Sequence, residues 1–248
     1  MVVFSKKRIE IIISCVIVAL FVFSIQISNN KNTKDAKNTN ETKSTIETTA
    51  TPASGKTIVL DAGHGVPDEG AESSNGTTEA ETNLKIALKV QNLLEQSGCN
   101  VILTRSDENA IYDLDANTLK QKKISDIRNR VKIGNEASAD IFVSIHLNKI
   151  PQSQYYGWQC FYKPNDEQSI KLAKQIQENL NKSIQKENKR VAMKLDTVYI
   201  MKHVEIPISI VECGFLSNPE EEKQLLDDNY QNKLAWGIYN GIQEYFYE

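Results

Sequence analysis

From residue 57 onward, short apolar runs alternate with stretches in which apolar residues recur every three to four positions. The first run, Ile58-Val59-Leu60, leads into Asp61-Ala62-Gly63-His64-Gly65. Further runs cover 100–104, 140–146, 156–162, 197–201 and 206–212. Their length, their β-branched content and the turn residues that bound them predict buried strands. Between them, Leu84, Ala87, Leu88, Val90 and Leu94 fall on one helical face that ends at Gly98. Helical patterns also predict helices over 119–137, 168–184, 219–226 and 230–245. This alternation predicts an α/β fold: a single three-layer domain with a mostly parallel twisted sheet flanked by helices. Polar loops over 65–77 and 106–117 are long enough to border a site.

The first 56 residues follow another pattern. Lys6-Lys7-Arg8 precede an apolar stretch over 9–27. With its flanks it approaches the roughly 20 residues that a bilayer requires. Positive charge on the amino side predicts a cytoplasmic basic segment, 1–8, and a transmembrane anchor or signal segment, 9–27. The absence of a small-x-small cleavage site favours an uncleaved anchor. Residues 28–56 are Asn, Lys, Thr, Glu, Ser and Ala with almost nothing to bury, which predicts a disordered linker. The domain over 57–248 is then expected outside the cell, anchored on the outer face of the membrane or secreted.

Composition narrows the partners. Among 248 residues, 29 Lys and Arg face 32 Asp and Glu, for a formal net charge of -3. No general basic surface exists to attract nucleic acid. The four cysteines, Cys15, Cys99, Cys160 and Cys213, are scattered and form no CxxC, so they read as small buried apolar groups.

Three predicted strands end in a chemically capable residue: His64, His146 and Glu212. Parallel strands bring their carboxyl ends to one edge, where open α/β sheets bind ligands. Two imidazoles and a carboxylate form a common catalytic zinc site with a place left for water. The helix opening Thr77-Thr78-Glu79-Ala80-Glu81 offers two acids for the third ligand. With Thr78 as N-cap, Glu81 at N3 completes a capping box and leaves Glu79 for the metal. Alternatively both acids serve the helix dipole. Glu212 follows Ile206, Ile208 and Ile210 on one strand face. It reads as a general base, as a buried acid paired with Arg105 or Arg130, or as a fourth ligand that would close the site. Arg105 is placed to meet a substrate carboxylate or to form a salt bridge. Asn148 could donate to a substrate carbonyl or close a turn. Tyr155, Tyr156 and Trp158 suit core packing or a sugar platform. His203 is expected in a surface turn, and Asn218-Pro219 in a helix start.

Leu60-Asp61-Ala62-Gly63-His64-Gly65, Glu79, Ser144-Ile145-His146-Leu147-Asn148 and Val211-Glu212-Cys213-Gly214-Phe215-Leu216-Ser217-Asn218 together resemble the zinc-dependent N-acetylmuramoyl-L-alanine amidases of amidase type 3. The resemblance runs from about residue 56 to the C-terminus. It implies one Zn2+ held by His64, Glu79 and His146, with Glu212 as catalytic acid/base. It also implies a peptidoglycan substrate, cut between the muramic acid lactyl group and L-alanine of the stem peptide. The anchored single-domain layout resembles the germination-specific spore-cortex amidases, which prepare muramic-δ-lactam. Val66 and Glu69 stand where relatives often carry Gly, which alters the loop but no ligand. A helix that plugs the zinc in some relatives is not expected in the short stretch after His146. Control would then rest on expression, location or an activating protein partner. The rivals are a zinc peptidase acting on the stem peptide and a catalytically silent wall-binding protein.

Overall fold

The computed structural model describes residues 50–247. In chain order its elements are β1 (Thr57–Ala62), α1 (Glu79–Gln96), β2 (Asn100–Leu103), α2 (Leu119–Glu136), β3 (Ile141–Asn148) and β4 (Gln159–Tyr162). They continue with α3 (Glu167–Ile184), β5 (Met193–Lys194), α4 (Tyr199–His203), β6 (Ile208–Phe215), α5 (Pro219–Leu225) and α6 (Asp228–Phe246). The six strands form one sheet in the order β2-β1-β3-β6-β4-β5.

Strands β2, β1, β3 and β6 run parallel. Strand β4 pairs antiparallel with β6, and the short β5 runs parallel to β4. The sheet is therefore mixed, with its departure from parallel confined to one side. Alternation along the strands sends successive side chains to opposite faces. Ile58, Leu60, Ile141, Val143, Ile145 and Val211 enter the larger apolar cluster, together with Ile86 and Val90 of α1, Leu172 and Ile176 of α3, and Leu234 and Ile238 of α6. Val59, Phe142, Ile208 and Ile210 enter a smaller cluster, with Val131 of α2 and Ile200 and Met201 of α4. Helices thus cover both faces, and three layers form. On α6, a Cβ at Gly241 would come within 2.4 Å of the Ile176 backbone, so a missing side chain lets α3 and α6 meet closely.

The structure departs from the sequence expectation at three places. Residues 197–201 are not a strand; Tyr199–His203 form the single turn α4, which buries Ile200 and Met201. A short apolar run does not distinguish a strand from a buried helical turn by periodicity. The strand expected over 156–162 begins at Gln159, because Gly157 takes φ +95° and breaks the extended chain. The expected linker over 28–56 ends early. Ala53 is fully buried, its N–H donates to Gln243 Oε1 at 2.9 Å, and Gly55 N–H reaches the Gly98 carbonyl at 2.8 Å. The expected anchor over 9–27 and most of that linker lie outside the described residues. Among the described residues, no helix is long and apolar enough to cross a membrane.

The cysteines behave as expected where they are described: Cys99, Cys160 and Cys213 are free and buried. Burial pushes the Cys160 and Cys213 thiols well up, so they stay neutral.

Candidate active site

Strand pairing brings the chemistry together. His146 and Glu212 are register partners on adjacent parallel strands, so their side chains leave the sheet on the same face. His64 lies just beyond β1, at the same edge. Its backbone takes φ +64°, a strained value for a residue with a Cβ. The Arg130 guanidinium helps hold that turn by donating to the His64 carbonyl at 2.5 Å. A Cβ on Gly63 would fall 2.2 Å from His146 Cε1, so only glycine lets the second imidazole pass.

Glu79 is the third member. Thr78 caps α1 and accepts from the Glu81 N–H at 3.4 Å, while the Glu81 carboxylate turns outward to Lys85 at 2.6 Å. Only half of the expected capping box forms, yet it separates the two acids as that reading required. Glu79 is buried, with Oε1 2.9 Å from His146 Nδ1 and Oε2 3.4 Å from His64 Nε2. The Leu147 N–H donates to Oε1 at 3.0 Å and the Ala71 N–H to Oε2 at 2.8 Å. The two imidazoles meet edge to face, with ring centroids 5.1 Å apart.

His64, Glu79 and His146 each offer one ligand atom, and these atoms lie within 4.8 Å of one another. Two imidazole nitrogens and one carboxylate oxygen suit a divalent transition metal. Gly70 leaves this space open: a Cβ there would sit 2.7 Å from both Glu79 Oε2 and His64 Cδ2. Beside the group, Glu212 Oε2 is sealed from solvent and has no protein hydrogen-bond partner. Buried polar atoms are seldom left so. The donor set and this unpartnered oxygen both fit a bound cation with a reacting water next to it.

The charges respond in kind. Burial alone would lower the His64 pKa, but Asp68 and then Glu79 outweigh it and raise it to about 9. Burial would raise Glu79, yet His146 and His64 hold it well below the usual carboxylate range. At Glu212 burial dominates. His146 opposes it and Glu79 adds to it, and the carboxyl is pushed up to about 7. That is where a group that both accepts and returns a proton at neutral pH is most effective.

Beneath the site lies a buried polar stack. Asp61 accepts from Ser144 Oγ at 2.5 Å, Arg130 Nη1 at 2.6 Å and Thr104 Oγ1 at 2.7 Å. Burial would raise its pKa, but Arg130 and then Ser144 keep it lowered and ionised. Arg130 also binds Asp126. The pairing of Glu212 with Arg105 or Arg130 is therefore not what the structure contains. Arg105 is buried and donates to the carbonyls of Ala62, Gly63, Ala80 and Asp107. Those bonds tie the β1 rim to α1, and neither a salt bridge nor an open guanidinium is found there.

The other expectations fall on either side. Asn148 closes β3, and its side chain makes no hydrogen bond among the described residues. Trp158 is core, with Nε1 donating to Asn181 at 2.8 Å, whereas Tyr155 and Tyr156 are exposed. His203 is exposed and stacks on Tyr199. Asn218 caps α5, with Pro219 in its first turn.

Three supporting residues escape a reading by strand ends. Asp68 sits 3.2 Å from His64 Nδ1 and 2.8 Å from Lys123, so it orients the imidazole. Its place four residues after a Gly-flanked histidine was the available signal. Glu221 accepts from the Phe215 and Gly157 N–H groups, both at 2.8 Å. It thereby fixes the end of β6, past the register shift that follows Glu212. Glu222 takes Ser73 Oγ at 2.5 Å, Thr77 Oγ1 at 2.7 Å and Asn75 Nδ2 at 2.8 Å. It secures the loop that delivers Glu79.

Known proteins carry the same arrangement of sequence and fold. Residues 58–244 match the N-acetylmuramoyl-L-alanine amidase family. A germination-specific N-acetylmuramoyl-L-alanine amidase of Bacillus subtilis (strain 168) is 36% identical over 232 residues, spanning 94% of this chain and 92% of the relative. Among solved structures, the CwlD amidase from Clostridioides difficile, in complex with the GerS lipoprotein, superposes with a TM-score of 0.75 at 46% identity. That match covers 77% of this chain and 98% of the other. The catalytic domain of CwlV, an N-acetylmuramoyl-L-alanine amidase from Bacillus (Paenibacillus) polymyxa var. colistinus, gives 0.66 at 31%, over 77% and 97%. With two histidines and a glutamate gathered at one sheet edge and a second glutamate beside them, the chain belongs to the N-acetylmuramoyl-L-alanine amidase family of cell-wall hydrolases.

Proposed function

We propose that this protein is a zinc-dependent amidase that releases stem peptides from muramic acid in the spore cortex, for muramic-δ-lactam formation and germination. The observation that carries the chemistry is the convergence of His64, Glu79 and His146 beside the unpartnered Glu212 Oε2. The names of the similar proteins support the germination role. Zinc, when bound by the three ligands, supplies a Lewis acid and a water acidic enough to ionise near neutral pH.

The chain's own groups do the rest. Glu212 Oε2 accepts a proton from the attacking water and returns it to the departing amine nitrogen. Asp68 holds His64 by Nδ1 and leaves Nε2 for the metal. Asn148, at the same edge, is the proposed donor to the substrate carbonyl. Arg105 is assigned to the scaffold.

We propose further that residues 9–27 anchor the enzyme on the outer face of the membrane, a reading supported by the apolar run after Lys6-Lys7-Arg8. A lipoprotein partner is proposed because the similar CwlD amidase was solved with one. The deciding experiment is mass spectrometry of cortex digests together with elemental analysis of the purified protein. Free peptides that begin with intact L-alanine, and about one zinc per chain, are expected. Cleavage inside the peptide would identify a peptidase instead.

A further inference from the structure

Arg190, which the sequence reading did not single out, lies close to the catalytic edge. Gln159 of β4 is the register partner of Glu212, and Arg190 Nη1 donates to Gln159 Oε1 at 3.1 Å. Arg190 Nε donates to the Tyr156 carbonyl at 3.1 Å, and the guanidinium lies 4.6 Å over the Phe215 ring. These contacts fix the plane of the group. Its Nη2 has no protein partner among the described residues, and it makes no salt bridge there. The nearby carboxylate of Glu221 is taken by the Gly157 and Phe215 N–H groups. A fixed guanidinium with its Nη2 unpartnered is placed to donate a charge-assisted hydrogen bond to a carboxylate oxygen.

The surroundings favour an anion. Arg190 lines a groove of about 370 Å³ with Gln154, Tyr155, Tyr156, Glu187, Asn188 and Lys189. Lys186 lies 4.6 Å over the Tyr156 ring, and Lys189 pairs with Glu187. Three cations stand against the surface acid Glu187 and the buried Glu221, which leaves a small positive excess here in a chain whose formal net charge is -3. The exposed tyrosines offer flat walls to a peptide backbone.

We propose that this groove is the subsite for the peptide half of the substrate, and that Arg190 receives one of its carboxylates. The proposal rests on the amidase reading for the identity of the peptide. Specificity for acidic over amidated stem peptides then resides in Arg190, the role the sequence suggested for Arg105.

The test is binding without turnover. A muramoyl peptide with free carboxylates, and the same compound with them amidated, are titrated calorimetrically into full-length zinc-loaded protein carrying Glu212→Gln. Arg190 is left intact or changed to Gln or to Lys. With Arg190→Gln, affinity for the acidic peptide should fall about tenfold and affinity for the amidated one should not change. With Arg190→Lys the loss should be smaller, because the charge remains without the fixed planar donor. An equal loss for both peptides would assign Arg190 to structure and overturn the proposal, as would an unchanged affinity for the acidic peptide. Release of peptide by the protein with Glu212 intact is measured separately. Its failure would remove the amidase reading, while the charge-dependent difference at Arg190 would still decide the subsite.

Discussion

The two faces of the sheet are written by the same strands, yet they serve different ends. In β3, Ile145 and Leu147 point into the larger core, while Ser144 and His146 point to the other side. In β6, Val211 and Cys213 are core, while Glu212 is chemistry. The larger cluster is closed over by three long helices. The smaller one stops at Ile210 and gives way to a polar stack of Asp61, Ser144, Thr104 and Arg130, which lies beneath the proposed metal ligands. Alternation therefore does two jobs in one strand: the odd-numbered residues anchor, and the even-numbered ones line the site. An open edge with a polar floor lets a half-buried carboxyl stay unpartnered where a full core would not.

The comparison can be broken most sharply at Glu212. Glu212→Gln should lower kcat by about a thousandfold while zinc content stays near one per chain. Steady-state release of peptide and elemental analysis of the same sample check both halves. On the opposite face, Ile145→Ala should cost about 3 kcal/mol of folding stability, read from denaturant unfolding, with metal content unchanged in the folded fraction. Asp68→Asn leaves all three ligands but removes the carboxylate behind His64. Zinc affinity, measured by competition with a chelator, should fall about 10- to 100-fold.

The smallest effect concerns protons. Without metal the folded-state pKa of His64 is raised to about 9, so its protonated form stabilises the fold fully below the unfolded value near 6.5. That contribution is lost as pH rises through 9. Zinc must displace this proton, so its apparent affinity should rise about tenfold per pH unit between 7 and 9. Calorimetry in buffers of different ionisation enthalpy would show about one proton released per zinc. A pH-independent affinity would mean that His64 is neutral before the metal arrives.

Much of this site was legible because its working residues sit at strand ends. His64, His146 and Glu212 each close an apolar run, and parallel pairing does the assembly. Thr78 as the cap offered a way to tell Glu79 from Glu81, but the helix-dipole alternative stayed open until packing placed Glu79 against both imidazoles. The supporting shell was harder to read, because its residues satisfy local rules as well. Glu221 and Glu222 look like ordinary acids at a helix start, yet both turn inward to hold loops far away in sequence. Arg105 and Arg130 offered themselves equally as partners for Glu212. Only the packing shows that one binds carbonyls and the other Asp61. Strand direction at β4 and the helical turn at 199–203 rest on tertiary contacts that a run of four or five apolar residues does not encode.

Helix α5 touches both sides of the candidate site. Consecutive carboxylates on it grip opposite banks: Glu221 the end of the strand that bears Glu212, Glu222 the loop that leads to Glu79. The fulcrum between them is a single peptide unit. A tilt of this short rod would slacken one tether as it tightened the other, so Glu212 and Glu79 would shift together.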